Sequence, residues 1–469
     1  MKAKEKPIND FGKDSIPVLV LKISLPFMFA QFVNVLYSIV DRIFIGNIQG
    51  TGTTALAGAG VCAPIITLLS SFATLIGIGG SVIFSIRLGA NDRRHAKTIL
   101  ADSFSMLLLF SAFLTVFFLL IKQQLLHWFG ASTATFPYAD TYLTIYTLGT
   151  FFALLSMGMN YFITAQGFPG LGMMTTLIGA VINTLLDPIF IFLFHMGIAG
   201  AALATVIAQF CSCLFVLMTL KSKKMPIPLS LCKPEWHLSL RIIQMGLSPF
   251  LILATDSIII IALNAVLQHF GGPKDGDTLI TCATIVQSYM LLITSPMLGL
   301  TGGSQPLISY NYGASRPDRI RKTVFYVLLL CILFTSFMFL VSRALPLYFV
   351  KIFTDNPEHI ELSVWGIRVF TLMIIPLSFQ YVLVDALTAL SLTRLSLCLS
   401  LFRKINYFAA TCIFPILMTP KAAFYAEPWA DGIAAVCSSA AFYHIYKRYL
   451  KGSGNLSQMH RRKKRQTSA

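Results

Sequence analysis

Four oxygen-bearing side chains, Asp41, Asn183, Asp187 and Thr205, have the types and spacing to hold a small cation in an apolar setting. Asn183 and Asp187 are one helical turn apart, so a helix would put them on one face. Carboxylate, amide and hydroxyl oxygens suit a hard cation such as sodium. Two neighbouring buried carboxylates equally suit a proton, which removes their mutual repulsion. The alternative is that Asp41 and Asp187 separately cap or hydrogen-bond within a bundle. Other chemistry lacks its residues. The 8 histidines form no HExxH and no pair at helical spacing. Of the 9 cysteines, Cys62, Cys211, Cys213, Cys282, Cys331, Cys398, Cys412 and Cys437 lie in apolar stretches and Cys232 in a basic loop, with no CxxC and no disulfide framework. Hydrolytic and metal catalysis find no support. The chain is therefore not expected to be an enzyme, and no cofactor is expected beyond a coupling ion, Na+ or H+.

The elements that must position these residues are apolar spans. The sequence is 56% hydrophobic and 12% charged, with a mean hydropathy of +0.74, far from soluble domains. About twenty apolar residues cross a hydrocarbon core. Twelve such stretches occur, at 16–47, 56–86, 98–121, 136–163, 170–194, 197–219, 240–268, 279–308, 323–349, 361–389, 396–418 and 429–448. The fold class expected is an all-α polytopic membrane protein. The polar N-terminus carries no cleavable signal, so the first span is expected to remain.

The chain also repeats itself. Pro26, Asp41 and Gly79-Gly80-Ser81 recur 223 residues later as Pro249, Asn264 and Gly302-Gly303-Ser304. At an offset of 224, Gly89-Ala90, Thr147-Leu148 and Thr164-Ala165 match Gly313-Ala314, Thr371-Leu372 and Thr388-Ala389. A constant offset over this length marks a tandem duplication. Six spans per half make the repeats parallel, related by a pseudo-twofold axis along the membrane normal. The expected domains are an amino-terminal lobe at 1–220, a cytoplasmic linker at 221–238, a carboxy-terminal lobe at 239–448 and a basic tail at 449–469. The acids break the symmetry, since Asp41 becomes Asn264 and Asp187 becomes Thr411.

A net charge of +17 invites a nucleic-acid reading, which its distribution opposes. Alternate connections and the tail hold 21 basic residues, the intervening connections 5. By the positive-inside rule both termini are cytoplasmic. The tail then suits anionic lipid headgroups, and no nucleic acid is expected as a partner.

Depth follows from counting at about 1.5 Å per residue. Asp41, Asn183, Asp187 and Thr205 reach a similar level in the outer half of the bilayer, and Tyr37 lies one turn below Asp41. In the second half, Asp256 and Asn264 roughly share a face and suit either a substrate path or a local hydrogen bond. Asp385, Arg403 and Lys404 read as a structural ion pair. The glycines late in the second span of each half, Gly77, Gly79 and Gly80 with Gly299, Gly302 and Gly303, read as close-packing residues.

The stretches ISLPFMFAQFVNVLYSIVDRIFIG (23–46), GAVINTLLDPIFIF (179–192) and SQPLISYNYGA (304–314), in this order on a twelve-span duplication, resemble the multidrug and toxic compound extrusion (MATE) family over essentially the whole chain. The resemblance implies two six-helix lobes around a central cavity, in a monomer of the bacterial inner membrane. It implies export of cationic or amphipathic small molecules by sodium- or proton-coupled antiport. By position it implies a cation site at Asp41, Asn183, Asp187 and Thr205, and cavity-lining roles for Tyr37, Tyr142 and Asn160. Pro26 matches a proline at which the first helix bends. A lipid-linked oligosaccharide flippase of related fold is the rival. It would be expected to carry several basic residues within its cavity, where this chain has chiefly Arg403 and Lys404.

Overall fold

The structure, a computed structural model, describes residues 9–230 and 235–450, and these form helices and turns without a strand. The helices of the first half are α1 (Ile16–Gly46), α2 (Gly52–Gly89), α3 (Arg93–Trp128), α4 (Phe136–Leu148), α5 (Thr150–Ala165), α6 (Pro169–Pro188) and α7 (Gly197–Lys221). Next comes α8 (Trp236–Gly313), two helices run together across a break at Gly272, where φ is 64° and ψ is −168°. The rest are α9 (Pro317–Ala344), α10 (Pro346–Val350), α11 (Pro357–Phe370), α12 (Ile374–Ala389), α13 (Thr393–Leu417) and α14 (Ala426–Ile445). Among the described residues ten helices are long and apolar enough to cross a membrane, and α4 with α5, bent by 56°, makes an eleventh span. The twelfth is α14, whose first two turns carry Glu427, Pro428 and Asp431 and so dilute its apolarity. The side chain of Asn264, Cys232, and the basic tail from residue 451 lie outside the described residues.

Large apolar side chains stay exposed along the helices, as at Leu109, Phe113 and Leu120 of α3. An aqueous protein would bury these; a hydrocarbon solvent accepts them. Inside, every backbone donor must be satisfied within the helix, and Asp92 opens α3 as its N-cap, accepting from the His95 backbone N–H at 3.3 Å. The His95 hydrogen bond holds the Asp92 carboxyl below the usual carboxylate range.

The duplication extends to the backbone. Asn91 (φ 60°) and Ser315 (φ 55°), 224 residues apart, both take the left-handed conformation after the second span. Gly167 (φ 92°) and Ser391 (φ 60°) do so after the fourth. Three of these four are not glycine, so the turn geometry is imposed by the surrounding helices against the local preference.

The chain divides into two compact units, each with its own apolar core. One comprises the residues up to Asp14 with Phe29–Ala254, and the other Ser15–Met28 with Thr255 onward. The division thus differs from lobes parted at 221–238, because the first helix of each half lends part of its length to the other unit. Glycines explain the exchange. Within the first unit a Cβ at Gly79 would lie 2.7 Å from the Gly246 backbone nitrogen and collide with the Ile242 carbonyl. Within the second, a Cβ at Gly299 would lie 2.6 Å from the Met28 Cα. Backbones this close need small residues. Pro26 lies inside α1, two residues before the change of unit.

Gly79→Val and Gly246→Val should each cost about 3 kcal/mol, or prevent folding, since a backbone atom cannot rotate away. Gly60→Val, facing open space, should stay within about 0.5 kcal/mol of the parent. Thermal unfolding of the detergent-purified protein measures all three.

Candidate cation site

The first unit gathers oxygen ligands from four helices. Asp187 ends α6 one residue before Pro188, and a π-helical turn follows at Ile189–Leu193. Proline removes the donor that would continue the ladder, and a wider turn accommodates the loss. Asn183, one turn earlier, donates from Nδ2 to Asp187 Oδ1 at 3.2 Å and to Thr205 Oγ1 on α7 at 3.3 Å. Thr205 itself donates to the Ala201 carbonyl at 3.0 Å, which leaves its lone pairs turned to the cluster. Asp187 and Asn183 are buried, at 0% and 2% exposed.

Asp41, half-buried on α1, lies within hydrogen-bonding reach of Asp187. Two carboxylates have no proton to share. Asp41 Oδ1 and Asp187 Oδ2 are both shut off from the surface without a donor, and so is Asn183 Oδ1. Three orphaned oxygens around two facing acids form a set of donors of the kind that suits a hard cation or a proton. Burial strips away water that would otherwise screen the acids, so a proton or a metal ion must replace it.

Tyrosines close the cluster. The break at Gly149 between α4 and α5 permits contact with α7, where a Cβ would sit 2.8 Å from Val206 Cγ1. It brings Tyr142 within hydrogen-bonding reach of Thr205 and into the electrostatic range of Asp41. Tyr37 lies close to Asp41, Asp187 and Tyr146. Tyr142 stacks on Tyr146 with ring centroids 6.5 Å apart, and the Tyr146 hydroxyl accepts from Gln209 Nε2 at 3.2 Å. Tyr146 and Gln209 did not figure in the sequence reading. The signal was available, since each stands four residues, one turn, beyond a residue that did: Tyr142 and Thr205.

Other expected residues fall elsewhere. Asn160, expected as a cavity-lining residue, sits apart from the acids. It donates to the Gly172 carbonyl at 3.1 Å, and Gly172 lies eleven residues before Asn183, about 16 Å along α6. In the second unit, Asp256 is ion-paired with Lys404, the local partner taking the place of a bare path-lining carboxylate. Arg403 pairs with Glu427 at 2.6 Å and Asp431 at 2.7 Å. The expected grouping of Asp385 with these bases is corrected: Asp385 lies instead within reach of Thr301 and Gln305. Glu427 was overlooked because the twelfth span was expected to begin at 429.

Asp187→Asn should stabilise the protein by about 1–3 kcal/mol in sodium-free alkaline buffer, read as a raised thermal midpoint, since it removes one of two facing buried charges and offers an amide donor to Asp41. The gain should vanish at acid pH or in high sodium, where the parent is neutralised too. A lower midpoint in the first buffer would show that the acids are already compensated.

The MatE family profile matches residues 26–189 and 253–405. The chain is 27% identical over 451 residues to the multidrug export protein MepA of Staphylococcus haemolyticus (strain JCSC1435), covering 94% of this chain and 96% of the relative. It is 26% identical over 373 residues to MepA of Staphylococcus aureus (strain NCTC 8325 / PS 47), covering 78% and 80%. The fold matches a MOP superfamily transporter from Pyrococcus furiosus at a TM-score of 0.88 and 20% identity, over 96% of this chain and 100% of that one. It also matches a multidrug resistance MATE family transporter in an outward-facing conformation at a TM-score of 0.84 and 20% identity, over 93% and 98%. With both halves of the duplication inside the matched profile and the full helical architecture shared, the chain belongs to the MATE family of efflux transporters.

Proposed function

We propose that this transporter exports cationic or amphipathic small molecules in exchange for a cation bound at Asp41, Asn183, Asp187 and Thr205. The observation that carries the reading is the pair of facing carboxyls with orphaned, buried oxygens. The relatives named as multidrug export proteins support the substrate class. A site with four oxygen donors serves Na+, and its paired acids serve H+, so we assign it both. Tyr37 and Tyr142 shape its wall, and Pro26 supplies the point at which α1 bends.

Exchange follows if cation and substrate favour opposite states of one equilibrium. A cation entering from outside neutralises Asp41 and Asp187, stabilises the state that has released substrate, and leaves on the inner side to reset the pump. The flippase alternative loses its chief ligands, because Arg403 and Lys404 are paired with acids of this chain. We place the protein in the cell membrane as a monomer with cytoplasmic termini.

Asp41→Asn and Asp187→Asn should each abolish drug resistance in a sensitive host at parental expression levels, and undiminished resistance in both would remove their role in coupling. In proteoliposomes, imposed sodium and pH gradients applied separately should each drive efflux. Asn183→Ala and Thr205→Ala should weaken the sodium-driven component severely and the proton-driven one less, because sodium needs several oxygens at once. Transport driven by neither gradient would overturn the antiport reading. A cysteine placed at Lys223 should label only after the cells are permeabilised; labelling in intact cells would reverse the topology.

A further inference from the structure

We propose that the second half of the chain holds its own exchangeable proton, on Asp431 beside Arg403 and Glu427. The proposal deepens the coupled-exchange reading and rests on it for the use made of that proton.

The repeat places this cluster on the two helices that carry the cation site in the first half. α6 starts at Pro169 and α13 at Thr393, and α7 ends at Lys221 and α14 at Ile445, both at the offset of 224. Arg403 therefore stands where the first half has Gly179, Tyr407 where it has Asn183, and Thr411 where it has Asp187. Glu427 and Asp431 straddle position 429, the equivalent of Thr205. At Gly179 there is no room for a side chain, since a Cβ would lie 2.7 Å from Ser212 Oγ. The second half opens that space and fills it with a guanidinium, which donates from Nε to Asp431 Oδ1 at 2.7 Å.

The charges do not cancel. Arg403 and Lys404 face three acids, Asp256, Glu427 and Asp431. The groups around Asp431 are Arg403, Lys404 and Tyr407 of α13, Glu427 of its own helix and Tyr381 of α12. Asp256 of α8 joins through Lys404, and among these groups Asp385 comes near Tyr381. None adds a positive charge. One negative charge is left over inside an apolar bundle, where it needs a partner. The open valence is visible: Asp431 is 0% exposed, and its Oδ2 accepts no hydrogen bond.

A proton fits this valence better than sodium. Sodium needs several oxygens together, whereas Ser438 of α14 and Gln380 of α12 are bonded to each other, and the fixed guanidinium opposes a metal cation. A proton needs one oxygen. On release the O–H bond at Oδ2 breaks, its electron pair stays on the carboxylate and the proton passes to water. Glu427 (15% exposed) and Asp256 (39%) are the acids of the cluster that reach the accessible surface. An organic cation arriving beside them supplies the missing charge and expels the proton.

The test uses infrared difference spectra of the reconstituted full chain with and without tetraphenylphosphonium. In the Asp41→Asn/Asp187→Asn protein, the cation should remove a protonated-carboxyl C=O band. Adding Asp431→Asn or, as a second variant, Glu427→Gln should abolish that loss while tetraphenylphosphonium binding to the same sample reports a folded protein. A band loss unchanged by both additions, or no band loss in the starting protein, overturns the proposal. Failure of the first-half reading looks different: the parent and the Asp41→Asn/Asp187→Asn protein would then give the same spectrum. Loss of the band on adding sodium alone would assign the site to a metal cation and overturn the proton.

Discussion

Inside a membrane-spanning bundle, two facing carboxyls cannot both remain charged without a cation between them, and much of the first unit is arranged around that constraint. Asn183 directs its single amide group at Asp187 and Thr205, which leaves its carbonyl oxygen, with one oxygen of each acid, buried and without a donor. The proline after Asp187 and the π-turn that follows break the helix where the acid sits. The bend at Gly149 lets the tyrosines of α4 reach α7. Each of these local departures from a straight helix costs backbone hydrogen bonding or packing, and each lies beside the same few oxygens.

The second unit meets part of the same requirement by different means. It carries its cations covalently, as Arg403 and Lys404, and sets acids from α8 and α14 against them. A tethered guanidinium cannot dissociate, so this half of the duplication is not a copy of the first site. One scaffold thus supports two charge arrangements because several helix ends and left-handed turns are shared while the buried faces are not. Backbone geometry is the conserved half of the duplication, and side-chain charge the divergent half.

Glycine placement ties the first helix of each half to the glycine-bearing span of the other. Gly246 against Gly79, and Gly299 against Met28, bring backbones together at distances that exclude any side chain, and Gly303 packs tightly on Ile23 and Ser24. Apolar lipid provides little force to drive helices together, so close packing between small residues carries the association. As a result, α1 and the first part of α8 each belong to two units along their length.

The sequence by itself determined the helical membrane class, the duplication and the turn spacing of Asn183 with Asp187, because hydropathy and periodicity are local properties that survive in one dimension. Depth counting assigned Asp41 and Thr205 to one level from the sequence alone, since rise per residue is fixed. Tertiary structure decided the rest. Which backbone Asn160 binds, and whether Arg403 and Lys404 choose Asp385 or Asp256, Glu427 and Asp431, depends on how each helix is rotated and tilted against non-neighbours. The exchange of first helices between units likewise depends on which glycine faces which backbone. Those rotations are set by the packing of the whole bundle, and no short window of residues contains them.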